Sequence, residues 1–160
     1  MIAKKQLDDS SFNQFSIAAS VDKLVSSVLT KESTRRFVII CNRISAYISN
    51  DEHLHQGNTI TVSYNGSIAE AFYQATKFWA TDDVNVLYPK FALNRYIAMF
   101  LITLIHREKY RFNYGRKWDK ELMESSLIKL PAVKIATNKY EPDWQFMEDY
   151  IKSLPYSSCL

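Results

Sequence analysis

The sequence predicts an α+β (mixed) domain: a twisted mixed sheet packed on one long central helix, with a shorter helix at the C-terminus. Three observations carry that reading. Ile60, Val62 and Tyr64 alternate with Thr59, Thr61 and Ser63 at the period of a half-buried strand. Leu93, Tyr96, Ile97, Phe100, Leu101, Leu104 and Ile105 recur at the three-and-four spacing of a helix face. Trp144, Met147, Ile151 and Leu154 repeat that spacing between Pro142 and Pro155.

The elements follow in order. Residues 1 to 36 are polar, and their apolar positions mix two periods, so no single element is predicted there. Phe37-Val38-Ile39-Ile40-Cys41 is a short β-branched run that fits a buried strand, broken by Asn42-Arg43. The strand around Ile60 runs into Asn65-Gly66, a hairpin signal because both residues tolerate positive φ, with Ala71 to Gln74 as the return strand. Val84, Val86 and Tyr88 make another strand, stopped by Pro89. The helix over 93 to 107 has Ala98, Met99 and Ile102 on its remaining circumference, which predicts a central position with apolar cover on nearly all sides. Ser126 to Val133, interrupted by Pro131, is one more strand or an extended arm. Pro142 opens the last helix, where Glu148 and Lys152 sit at the i,i+4 spacing of a supporting ion pair.

Composition narrows the function classes. A chain of 160 residues with 47% hydrophobic and 23% charged side chains buries its own core and is neither disordered nor fibrous. Cys41 and Cys159 have neither zinc spacing nor the density of a secreted disulfide scaffold, which points to a reducing cytoplasm. The N-terminal residues lack the apolar core of an export signal, and no stretch reaches the roughly 18 apolar residues of a membrane span. Three glycines in all leave hardly any material for a phosphate-binding loop. His53 and His55 are two apart, but no cysteine or carboxylate cluster completes a metal site beside them, and Asp51-Glu52 reads as a surface loop. Asp82-Asp83 is not followed by a suitably spaced Glu-x-Lys, and Glu148, Asp149 and Lys152 read as the solvent face of a helix. His106 reads as a favourable charge at a helix C-terminus. No catalytic centre, metal or cofactor is therefore expected.

The charge is unevenly placed. Between Arg107 and Lys120 stand six Lys or Arg against two Glu or Asp, an excess of four in a chain whose total is +3, so the remainder is slightly acidic. Basic side chains offset phosphate charge and release counterions, and Arg offers a bidentate fork to phosphate or guanine. Two other readings stand beside DNA binding: a protein-interaction or assembly module whose basic segment is incidental, and a diverged nuclease.

Gly57-Asn58-Thr59-Ile60-Thr61-Val62 through Asn65-Gly66-Ser67, Ala71-Phe72-Tyr73-Gln74, Val84-Asn85-Val86-Leu87, Tyr114-Gly115-Arg116-Lys117-Trp118, Ile128-Lys129-Leu130-Pro131 and Pro142-Asp143-Trp144-Gln145-Phe146-Met147 follow one another between residues 37 and 154. In order and spacing this set resembles the target-recognition domains of restriction-modification specificity subunits, both the type I kind and the related type IIB and IIG half-subunits or C-terminal domains. The resemblance implies a domain that reads one half of a double-stranded DNA target through variable loops. It also implies association with a DNA adenine methyltransferase and often a nuclease. Ala69 stands where the family often has a second glycine, and the single recognition domain implies a half-subunit, a separate small protein or an excised domain.

The expected DNA contacts are Lys31, Arg35, Arg36, Asn42, Arg43, Asn65, Ser67, Arg111, Arg116 and Lys117, with Tyr114 and Trp118 assigned to structure. Residues 1–131 are expected to form the recognition domain and 132–160 a C-terminal arm and short helix, in the same globular unit or in contact with a partner. The stripe Trp144, Met147, Ile151 and Leu154 is expected to meet a partner helix, as the resemblance implies, with a homodimer as one form of that contact.

Overall fold

The computed structural model describes residues 12–16, 36–40, 43–48, 54–137 and 139–160, the first three segments as backbone only. In chain order the strands are β1 (Phe12–Ser16), β2 (Arg36–Ile40), β3 (Arg43–Ile48), β4 (Thr59–Ser63), β5 (Ala71–Gln74), β6 (Phe78–Ala80) and β7 (Val84–Leu87). Then come the helix α1 (Arg95–Arg107), a 3-10 turn (Glu108–Arg111), α2 (Lys120–Ser125), β8 (Leu127–Ala136), β9 (Lys139–Pro142) and α3 (Trp144–Ser153). The α+β class is as expected, but among the described residues the strands form three sheets of three in place of one: β1-β8-β9, β3-β2-β6 and β5-β4-β7. The β2-β6 pair is parallel and the other ladders are antiparallel, so the content is mixed. Asn42-Arg43 does not end the strand region there, because β3 begins at Arg43 and pairs back on β2.

β4 differs from its expected half-burial. All five of its residues are buried, since it lies between β5 and β7 at the centre of its sheet. Its polar face is tolerated because each hydroxyl donates to a backbone carbonyl: Thr59 Oγ1 to Gln56 (3.3 Å), Thr61 Oγ1 to Phe72 (3.3 Å) and Ser63 Oγ to Asn65 (2.6 Å). The β4-β5 connection is also longer than a two-residue hairpin, because Val62 pairs with Ala71 and residues 64–70 intervene. Gly66 takes φ 70°, and Ala69, a non-glycine residue, takes φ 60°. An L-residue held there carries roughly 1–2 kcal/mol of strain, offset by complete burial of its methyl group and by its N–H donating to Ser63 O at 2.8 Å. Gly57, just before β4, is required by close approach: a Cβ there would lie 2.5 Å from the Ala75 carbonyl oxygen.

The core sits between the β5-β4-β7 sheet, α1 and α3, with Ile60, Val62 and Ala71 meeting Ile97, Ala98, Leu101, Ile102 and Ile105 and with Met147 in the same cluster. α1 is less enclosed than its sequence implied: Met99, Phe100 and Leu104 are half-buried and Thr103 is exposed. It starts where Asn94, in extended conformation, accepts from the N–H groups of Tyr96 and Ile97 at 3.0 Å, a cap that contributes about 1 kcal/mol. The same Asn94 donates through Nδ2 to Glu148 Oε2 at 2.7 Å, which ties the start of α1 to α3. Pro142 does not open α3; it ends β9, and Asp143 caps the helix by accepting from Phe146 N at 2.9 Å. β8 runs on through Pro131, which is accommodated where the strand changes partner, pairing with β1 up to Pro131 and with β9 from Ala132 onward.

Candidate nucleic-acid interface

The basic segment leaves α1 at Arg107, makes the 3-10 turn and dips into the core at Phe112. Phe112 stacks on Trp118, with ring centroids 4.5 Å apart and planes 10° off parallel. Trp118 is fully buried, and its Nε1–H donates to Ser126 Oγ at 2.9 Å, while Ser126 in turn donates to Leu122 O. Two anchors six residues apart thus hold the feet of a loop whose tip is Asn113-Tyr114-Gly115-Arg116.

That tip is built by one side chain. Asn113 Oδ1 accepts from Gly115 N at 2.9 Å and from Arg116 N at 3.0 Å, and the backbones of Asn113 and Arg116 exchange hydrogen bonds of 3.0 Å in both directions. Asparagine at the first position of a tight turn is favoured for this local bonding. The result is a short antiparallel tip that carries Tyr114, Arg116 and Lys117 outward, all exposed.

Three of the six bases are balanced locally: Lys109 by Glu70, Arg111 by Glu108 at 2.6 Å and Lys120 by Glu124 at 3.6 Å. Exposed pairs of this kind contribute little to stability but reduce the charge offered outward. Arg107, Arg116 and Lys117 have no carboxylate partner among the described residues. The guanidinium of Arg116 lies 5.8 Å from the centroid of the Phe112 ring, which orients it without neutralising it.

The remaining expected contacts are dispersed. Arg36 and Arg43 begin β2 and β3, and the register, Arg36 opposite Ile48 and Arg43 opposite Ile40, sets them at opposite ends of that hairpin, about 13 Å apart. Asn65 is half-buried and donates through Nδ2 to Asp83 Oδ1 at 2.8 Å, so that donor serves the loop. Ser67 is exposed in the same loop. Lys31, Arg35 and Asn42 lie outside the described residues, as do Cys41 and His53. Tyr114 departs from its structural assignment: it is 74% exposed, and nearby Tyr110, not singled out from the sequence, is 84% exposed. The Asn at the start of the turn and the Gly two residues on were the signal that Tyr114 occupies a tip.

The two described histidines, His55 and His106, are structural. His55 bonds through Nδ1 to the Tyr88 hydroxyl at 2.6 Å and stacks on Phe78, and burial holds its pKa below the usual 6.5. His106 is not a helix-end cation as read from the sequence: its Nε2 accepts from the Ala71 N–H at 3.0 Å, and a backbone N–H only donates, so that nitrogen carries no proton. The same nitrogen lies 3.4 Å from Glu70 Oε2, a contact that is therefore not an ion pair.

The terminal stripe also departs from expectation. Met147 is fully buried and Ile151 nearly so, both within the chain's own core, and Trp144 stacks on Phe91 at 3.9 Å between centroids. Of the four residues only Leu154 faces outward, 40% exposed, beside Tyr150.

Fold and surface together define an α+β domain that holds a hydrogen-bonded cationic turn outside its main core. The chain belongs to the family described as "Type I restriction modification DNA specificity domain", which matches residues 25–155. It is 33% identical over 111 residues to the "Type II restriction enzyme BgcI specificity subunit S.BcgI" of Heyndrickxia coagulans, a match covering 69% of this chain and 31% of that protein. Its fold is shared with the S subunit of a type I restriction-modification system from M. genitalium (TM-score 0.56, 12% identity, 89% of this chain and 38% of that one). The HsdS subunit from Thermoanaerobacter tengcongensis is similar in the same way (TM-score 0.54, 11% identity, 95% of this chain and 39% of that one). The chain thus spans about a third to two-fifths of the length of these relatives. No helix among the described residues is long and apolar enough to cross a membrane.

Proposed function

We propose that this chain recognises a specific sequence in double-stranded DNA as the specificity domain of a restriction-modification assembly in the cytoplasm. It directs a partner adenine methyltransferase, and a nuclease where one is present, to the target, and makes or breaks no covalent bond itself. The observation that supports this reading most directly is the pair of unpaired cations Arg116 and Lys117 on a turn clamped by buried aromatics, with Arg107 at the end of α1, in a chain of this family. Cations at such a turn hold phosphates and set the register of the domain on the duplex, while polar side chains on loops read base edges. Ser67, Arg36, Asn42 and Arg43 are the candidates for base readout, and Arg111 is kept in the interface as a hydrogen-bonded pair with Glu108. Because Met147 and Ile151 are already covered, a partner helix or second copy meets Tyr150 on the outer face of α3 and Leu154 just past its end.

The test is titration of the chain against random-sequence duplex at two salt concentrations. The logarithm of the affinity should fall linearly with the logarithm of salt, by about 0.9 per phosphate contacted. A flat response would remove the DNA reading and leave a protein-interaction module.

A further inference from the structure

Two arginines of the basic segment share one aromatic ring. The guanidinium carbon of Arg111 lies 5.7 Å from the centroid of Phe112, and that of Arg116 lies 5.8 Å from the same centroid. The ring is buried and stacked on Trp118, so it is a fixed support. Each guanidinium carries a planar fork of N–H donors that matches the oxygens of a phosphate. Two like charges gathered around one ring favour an anion that both can reach.

In the free chain one of the two already holds an anion. Glu108 and Arg111 begin and end the 3-10 turn, where side chains three apart eclipse each other, and Glu108 Oε2 accepts from Arg111 Nη1 at 2.6 Å. A carboxylate offers a guanidinium the same pair of acceptor oxygens that a phosphodiester offers. Both members of the pair reach solvent, Glu108 with 19% and Arg111 with 38% of the side chain exposed, and pairs open to water are held weakly. Arg116, beside the same ring, has no carboxylate partner among the described residues.

Resting on the DNA reading above, we infer that Arg111 and Arg116 form one phosphate site across the Phe112 ring, and that Glu108 is its internal competitor. A backbone phosphate of the duplex takes Arg111 from Glu108 and is then held by both arginines. Because the phosphate carries no sequence information, Glu108 lowers affinity for every duplex alike and leaves the choice of bases to other loops.

The experiment titrates the full chain and its variants against a fluorescent random-sequence duplex over a series of salt concentrations. Glu108→Gln should tighten binding at low salt about fivefold, the scale of an exposed ion pair. In an Arg111→Met background the same substitution should change affinity by less than about twofold, since the competitor then has nothing to occupy. A gain that persists in that background would be a general effect of charge and would overturn the role of Glu108. Arg111→Met and Arg116→Met keep an apolar stem against Phe112. Each alone should lower the salt slope by less than about 0.5, and the two together by about 0.9, the loss of one phosphate. Losses of about 0.9 each and about 1.8 together would assign the arginines to separate phosphates, and an unchanged slope in the double variant would remove both from the interface; either result overturns the shared site. These substitutions roughly preserve side-chain size, so all variants should melt as the wild type does, and Arg111→Gln repeats the cycle with a polar stem. A steep wild-type slope with any of these failures leaves the DNA reading standing, whereas a flat wild-type response overturns that reading and this inference together.

Discussion

The segment from Arg107 to Lys120 and the helix α3 look alike on paper, since each interleaves aromatic and charged residues and each invites assignment as a contact surface. The fold treats them oppositely. α3 turns Met147 and Ile151 into the core and leaves Leu154 and Tyr150 outside, whereas the basic segment buries two aromatics as anchors and puts Tyr114, Arg116 and Lys117 outside. The difference lies in what surrounds each. α3 has a facing helix, tied to it through the Asn94–Glu148 bond, that supplies apolar cover. The basic turn has only its own Asx hydrogen bonds and the stack beneath it, so its tip has nowhere to hide a side chain.

The largest test of this contrast removes an anchor from each region. Met147→Ala in α3 should cost about 2–5 kcal/mol and Trp118→Ala beneath the turn about 3–5 kcal/mol, both read as lower denaturant midpoints. If α3 were a partner-binding stripe instead, Met147→Ala would leave the monomer's stability unchanged and alter only its association. A smaller effect is expected outside the core. Arg116→Ala combined with Lys117→Ala should leave the melt within about 0.5 kcal/mol of wild type, since both are exposed, yet flatten the salt slope of DNA binding by up to about two units. An unchanged slope would return the turn to a purely structural role.

The smallest effect concerns pH. Burial holds the His55 pKa below 6.5, so the unfolded chain takes up a proton before the folded one does. Stability should therefore decline as pH falls below about 6.5, and His55→Gln should remove that part of the decline. A decline of the same size in the His55→Gln variant would place its source at another group.

Much of the molecule was legible in advance, and the misses share a cause. Periodicity located β4, β7, α1 and α3, the Asn65-Gly66 turn signal located β5, and the charge excess located the basic segment, because these are properties of consecutive residues. Periodicity could not tell that Thr59, Thr61 and Ser63 are buried, because their exposure depends on β4 lying between two neighbours and on carbonyls of other segments receiving their hydroxyls. His106 was misread for the same reason, since its partner, the N–H of Ala71, lies 35 positions away. Tyr114 is a different case, because the Asn-x-Gly pattern around it is local and was available.

By itself the sequence determined the α+β class, the helix face of α1, the place of the cationic segment and the family whose ordered motifs it carries, since each depends on residue type and short spacing. Only the tertiary structure decided which of the six cations are spent on Glu70, Glu108 and Glu124, which face of α3 is inside, and which aromatics of the turn are anchors and which are tips. Those outcomes depend on contacts across tens of residues, where burial and pairing are set by which surfaces the fold brings together and not by the identity of the residues alone.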